Sequence, residues 1–261
     1  MNSYNAGMSI FPQKRRKPTP PAPRIIPVTA IDELGFDYII RLSSRKSASI
    51  EVRADGVRVC APHRATQKEL KHWVCAKAAW IREKLEQQQE RQNQIPHRSF
   101  AEDAQWPFMG DQLSLSIQTG KKNSAQRVGN RLLITLSNRS PKAAPKQIEN
   151  ILQNWYQQQA LTVLTEKSVQ ACKRLETRYR SIRLRRTKSK WGHCTIHGDL
   201  QFNWLILQAP ESVIDYLVIH ECCHLIHHNH SHQYWQLVAT LSPNYQQAKQ
   251  WLNDNGHRLV F

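Results

Sequence analysis

From Phe36 to Leu42, and again through Ser49–Arg53 and Val57–Ala61, apolar and polar residues alternate, and the last two runs flank Asp55-Gly56. Alternation with period two predicts strands with one buried face, and Asp-Gly between two such runs predicts a hairpin. The period changes at Thr66. Thr66-Gln-Lys-Glu69 has the form of a capping box, and Leu70, Trp73, Val74, Ala78, Ile81 and Leu85 follow at helical spacing, so one helix of about 20 residues is predicted. Its polar end, Gln87–Gln94, runs into Pro96. Further strands are predicted at Gln112–Gln118 and Arg131–Leu136, before a long helix with Pro145 in its first turn and Ile148, Ile151, Leu152, Trp155, Leu161, Leu164, Val169 and Cys172 on one side. Ser181–Cys194 and Leu200–Leu207 read as a strand pair around His197-Gly198-Asp199. An apolar helix capped by Ser212 follows, then one capped by Ser231, and a last one opened by Ser242-Pro243 and ended at Asn255-Gly256. No internal repeat is visible in this pattern. The order of elements gives an α+β chain: a flexible basic, Pro-rich tail over 1–30, a β-hairpin and helix region over 31–95, and a larger region over 96–261 with its core at 181–261.

Composition narrows this. In 261 residues, 40% hydrophobic content with eight Trp and seven Tyr excludes a wholly disordered polycation, which has little to bury. Six Cys without a C-x-x-C pair argue against a zinc ribbon or a disulfide scaffold and for reduced thiols. No apolar run approaches the roughly 20 residues of a membrane span, and the polar, basic start lacks the apolar core of a signal peptide. A soluble cytoplasmic protein without membrane contact is the expectation, and its oligomeric state stays open.

The formal charge of +17 is unevenly placed. Residues 1–97 carry 17 basic and 9 acidic side chains, residues 98–199 carry 18 and 7, and residues 200–261 carry 2 and 4. Between Lys173 and Lys190 nine cations face a single acid, Glu176, which makes non-specific contact with nucleic acid through Lys173–Lys190 an expectation. Lys14-Arg15-Arg16-Lys17 in the tail reads as a solvated basic run.

The residues that carry chemistry lie in the acidic quarter. His220-Glu221-Cys222-Cys223-His224 places two imidazoles four apart on one helix face, where both can bind one metal ion, with Glu221 beside it as a general base. Unpaired His and Glu are costly to bury in so apolar a helix, so they call for a reason to be there. A catalytic zinc takes three protein ligands and keeps one open position; the third comes from His227, His228, His230 or His232. His227 would share the helix face, whereas His230 needs the chain to turn back. Cys222 and Cys223 face away from the His pair and read as core; Asp215 and Tyr216 are candidates to orient an imidazole.

Lys190-Trp191-Gly192-His193-Cys194, Phe202-Asn203-Trp204, Ala209-Pro210, Asp215-Tyr216-Leu217-Val218 before His220-Glu221, Asn229-His230-Ser231, Tyr234-Trp235 and Pro243 together resemble the YgjP-like metal-dependent hydrolases, relatives of the SprT-like proteases. The likeness is close over about 80 C-terminal residues and looser over the Arg45–Pro62 hairpin and the helix containing Trp80. His193 stands where the family usually has Ser, and Cys222 where it has Leu. The resemblance implies a zincin-like core with an active-site HExxH helix, Zn2+ held by His220, His224 and His230, and Glu221 as the base in hydrolysis of a peptide or protein substrate. Leu200–Leu205 would be the edge for an extended substrate, with Asn203 a candidate contact. Two other classes stand beside the peptidase: a metal-dependent nucleotide (UTP-type) pyrophosphatase, and a nucleic-acid-binding protein with a structural zinc.

Overall fold

The computed structural model describes residues 22–28, 34–53, 55–187 and 190–261. The chain divides between Asn93 and Gln94 into two compact units, each with its own core.

The first unit is a four-stranded sheet of β1 (Arg24–Val28), β2 (Tyr38–Ser43), β3 (Ser49–Arg53) and β4 (Gly56–Pro62), ordered β1-β2-β4-β3, with helices α1 (Gln67–Ala76) and α2 (Ala78–Asn93). The inward residues of β2 and β4, among them Tyr38, Ile40, Val57 and Val59, bury with Leu70, Val74 and Ile81 of the helices. The Asp55-Gly56 hairpin joins β3 to β4, with Gly56 at φ +117°. Thr66 and Glu69 form the capping box in both directions.

Two expectations are corrected in this unit. The tail does not extend through residue 30, because Arg24–Val28 is a strand paired antiparallel to β2; its Ile25, Ile26 and Val28 favour extended backbone, and Pro27 is tolerated on an edge strand. The Lys14–Lys17 run lies outside the described residues. The single helix is two, because Lys77 leaves helical geometry as the C-cap of α1.

The second unit opens with β5 (Gln105–Phe108), β6 (Asp111–Gly120), β7 (Ser124–Val128) and β8 (Arg131–Ser137), ordered β5-β6-β8-β7, and the 31-residue helix α3 (Ala144–Arg174). Both four-stranded sheets pair their strands in the same sequence of senses, antiparallel, parallel, antiparallel. In each, a five-residue strand is followed by an antiparallel seven-residue strand. The chain therefore contains a topological repeat that the hydrophobic pattern does not reveal.

A three-stranded sheet follows: β9 (Ser181–Arg185), β10 (Gly192–Cys194) and β11 (Asp199–Asn203), ordered β10-β11-β9. The predicted strand over Leu200–Leu207 stops at Asn203, and Trp204–Gln208 form a 3-10 turn. Then come α4 (Glu211–Cys223), α5 (His232–Leu241) and α6 (Tyr245–Asn255). Helix α4 starts behind Pro210, one residue ahead of the expected cap Ser212, whereas Ser231 caps α5 through its hydroxyl. α4 is apolar on nearly every side because it is the buried spine of the unit: Val213, Ile214, Leu217, Val218, Cys222 and Cys223 all lie in the core with Ala171 and Cys172 of α3. Among the described residues no helix is long and apolar enough to cross a membrane.

Candidate active site

Helix α4 carries His220 and Glu221 in its last turn and ends in His224, which keeps helical geometry as the C-cap (φ −67°, ψ −15°). The chain then turns back. The amides of Leu225, Ile226 and His227 bond the carbonyls of Cys222 and Cys223, and the His227 carbonyl meets Nδ1 of His224 at 3.0 Å. His227 thus serves through its backbone, and its imidazole is not the third candidate. Asn229 accepts from the Ser231 amide, Ser231 caps α5, and His230, held between them, faces α4. The ligand atoms of His220, His224 and His230 all lie within 4.8 Å of one another, with Nε2 of His220 and His230 3.3 Å apart.

The first turn of α5 locks these rings. Tyr234 stacks on His224 at 4.5 Å and donates its hydroxyl to the His220 carbonyl at 3.0 Å. Trp235 stacks on His230 at 5.6 Å and is backed by Tyr245. Tyr234 is fully buried, so a polar aromatic one turn into an amphipathic helix is a positioning group here. Neither residue was singled out for such a role by spacing.

Glu221 is 4% exposed, and its carboxylate lies against Gly192 on β10. A Cβ at Gly192 would sit 2.6 Å from Cγ and 2.7 Å from Cδ of Glu221, so the strand can pass only as glycine. Burial pushes the Glu221 carboxyl up to about 8, against the backbone N–H of Cys194 and the charge of Lys190, which both favour the ionised form. Burial also holds His220 down to about 3, aided by repulsion from His224, His230 and Lys249, and depresses His224. Three convergent imidazoles, two of them depressed by burial, are electron-pair donors in search of an acceptor.

The donor set fits zinc. Three nitrogens about 2.0–2.1 Å from a tetrahedral ion lie about 3.4 Å apart, close to the 3.3 Å between His220 and His230. The remaining side faces a cleft of about 580 Å³, lined also by Lys190, His193, Cys194, Thr195, Ile196 and His228, which leaves room for water and substrate. A cavity of about 640 Å³ between α3, α4 and α6, lined by Lys167 and Arg174 among others, holds no group of three ligating side chains among the described residues.

Several sequence candidates lie elsewhere. Asn203 is 4% exposed, its Oδ1 accepts from the Leu205 amide and its Nδ2 donates to the Thr187 carbonyl; it caps the 3-10 turn instead of meeting substrate. Nor is β11 an edge: it is the central strand, and the strand between it and the site is β10. Asp215 pairs with Lys167 at 2.6 Å and does not reach an imidazole, while Tyr216 packs its ring edgewise on His220 at 5.7 Å. Cys222 and Cys223 are fully buried, with Sγ of Cys222 3.9 Å from that of Cys172. Of the basic stretch, Arg180 is spent on Asp199, Arg174 on the Leu241 carbonyl and Arg186 on the Phe261 carbonyl, whereas Arg183 and Arg185 point outward from β9.

Among curated proteins, no sequence matches significantly. Among solved structures, the metallopeptidase zymogen abylysin of Pyrococcus abyssi matches at 19% identity and a TM-score of 0.33, over 37% of this chain and 99% of that one. The YgjP-like metallopeptidase domain matches residues 46–255, most of the chain and all of the site described above. The chain belongs to the YgjP-like metallopeptidase family.

Proposed function

We propose that the protein is a zinc-dependent peptidase in which His220, His224 and His230 hold the metal and Glu221 is the general base. The observation that carries this is the convergence of three imidazoles beside one buried carboxylate at the floor of an open cleft. Zinc, when bound, supplies Lewis acidity to a water and to the scissile carbonyl. Glu221 takes the proton of the attacking water and delivers it to the leaving amine, and a carboxyl whose affinity for protons is raised suits both transfers. Tyr234 and Trp235 hold the imidazoles in place while this happens. An extended peptide would add to the edge strand β10, whose Gly192 and Cys194 already touch Glu221.

The test is direct. Purified protein should bind one equivalent of zinc, His220→Ala should lose it, and Glu221→Gln should keep it while losing cleavage of casein by at least about a hundredfold. Cleavage that survives Glu221→Gln, or zinc that survives His220→Ala, would sink the assignment. Recruitment to nucleic acid is a second reading, favoured by the outward side chains of Arg183 and Arg185. Binding to DNA that weakens steeply with salt and falls in the Arg183→Ala/Arg185→Ala variant supports it, and a flat salt response removes it.

A further inference from the structure

Lys190 enters the cleft immediately before β10. Its backbone is fixed: its carbonyl accepts from the Thr187 hydroxyl at 2.6 Å, and the next carbonyl, of Trp191, accepts from the Asn203 amide at 2.7 Å. The side chain is exposed, makes no ion pair among the described residues, and its charge reaches Glu221. Glu221 is the sole carboxylate among the described residues that line the cleft, and it is buried against Gly192 with the Cys194 amide as its hydrogen-bond partner, forming no ion pair with Lys190. Next along the edge, His193 is exposed and lines the same cleft, adding a ring N–H to its wall. A cleft whose rim carries an exposed cation on an anchored backbone, and whose one acid is buried, favours an anionic occupant over a basic one.

Resting on the peptidase reading above, we propose that Lys190 determines specificity by binding a carboxylate of the substrate next to the scissile bond, so that the site takes acidic peptides. The carboxylate comes either from an Asp or Glu side chain or from the peptide's C-terminus, and both present the same group to the ammonium.

The experiment reads binding separately from cleavage. Zinc-loaded Glu221→Gln protein is titrated at low salt with fluorescent, end-blocked peptides that differ only by Glu against Gln beside the scissile bond. A second pair, without acidic side chains, differs only by a free against an amidated C-terminus. For a solvent-accessible ion pair the acidic member of one pair should bind about fivefold tighter. Lys190→Ala, at an exposed position that leaves the fold intact, should abolish the difference, and Lys190→Glu should turn the preference toward a Lys-containing peptide. A difference in the first pair assigns the side-chain source, and in the second the chain end. Equal binding within both pairs overturns the proposal, as does an acidic preference that survives Lys190→Ala. If Lys190→Ala instead lowers turnover of Glu and Gln peptides by wild-type enzyme equally, with flat binding, Lys190 serves the reacting carbonyl and the proposal fails. Absence of cleavage by wild type alongside the expected binding differences would count against the peptidase reading and leave the carboxylate assignment standing.

Discussion

A single methyl group at position 192 is enough to disturb the site. In Gly192→Ala the new Cβ must displace the Glu221 carboxyl or bend β10, because neither the buried carboxylate nor the paired strand has slack. Displacements of this size can cost about a hundredfold in rate, and overpacking costs about 1–3 kcal/mol of stability. Casein cleavage should fall by that factor while zinc stoichiometry stays at one; a variant with full turnover would contradict the cradle. The contrast with His220, Glu221 and His224 shows what a sequence can display at this scale. Those three lie within one helical turn, so their spacing alone places them together, whereas Gly192 meets Glu221 across 29 positions of chain and its constraint exists only once β10 packs on α4. Asn203 errs in the other direction: a polar residue among site motifs invites a functional role, but its amide is consumed in capping the turn that ends β11.

Between elements, the site depends on two joints. The first is the start of α5, where Ser231 follows His230 and accepts from the Tyr234 amide at 3.3 Å. Ser231→Ala should lower stability by about 1 kcal/mol in urea unfolding and weaken zinc binding, and Ser231→Thr should restore both; an unchanged affinity in the Ala variant would separate the cap from the ligand. The second joins β9 to β11, where Asp199 accepts from Arg180, Ser181 and Thr195. These donors, Arg180 first, hold the Asp199 carboxyl well below the usual carboxylate range. A depressed folded-state pKa gives stability that is present above the unfolded value of about 3.9 and is lost as pH falls through it toward the folded value. Wild type should therefore lose more stability than Asp199→Asn between pH 5 and pH 3, and parallel losses would show that the carboxylate is not linked to folding. Element type was readable from periodicity for β2, β3, β4, β6, β8, α3 and α4, and the turn residues gave the β3–β4 and β10–β11 pairings, but the parallel pairings and strand order were not legible. The pattern of Leu200–Phe202 fits an edge or a centre equally well, and only the pairing on both sides makes β11 central. Strands β5 and β7 escaped because Pro107 and the mostly exposed Ser124–Val128 carry no alternation.

Across the whole chain, the charge that dominates the composition belongs to segments other than α4: Arg180, Arg174 and Arg186 are absorbed into the fold of the second unit, and among the described cations of Lys173–Lys190 only Lys190 lines the cleft. The repeated β-sheet order escapes the sequence for a different reason. Pairing senses and the lengths of the last two strands recur, but β3 and β7 share little beyond their first Ser, so topology persists where residue identity does not. The cores of the two units draw on separate residues, 26–85 in one and 100–261 in the other, so neither set of buried side chains needs the other to be complete. The three imidazoles, Glu221, Gly192, Tyr234 and Trp235 all belong to the second unit. With its core of over 30 buried apolar residues closed on itself, the fragment 94–261 should fold alone, unfold in one cooperative urea transition and bind one zinc with the affinity of the full chain. The family match begins at residue 46 and so takes in β3, β4, α1 and α2 of the first unit, whose contribution is to be sought in turnover or substrate choice. Loss of zinc binding on removal of residues 1–93 would show instead that the first unit holds the metal site together.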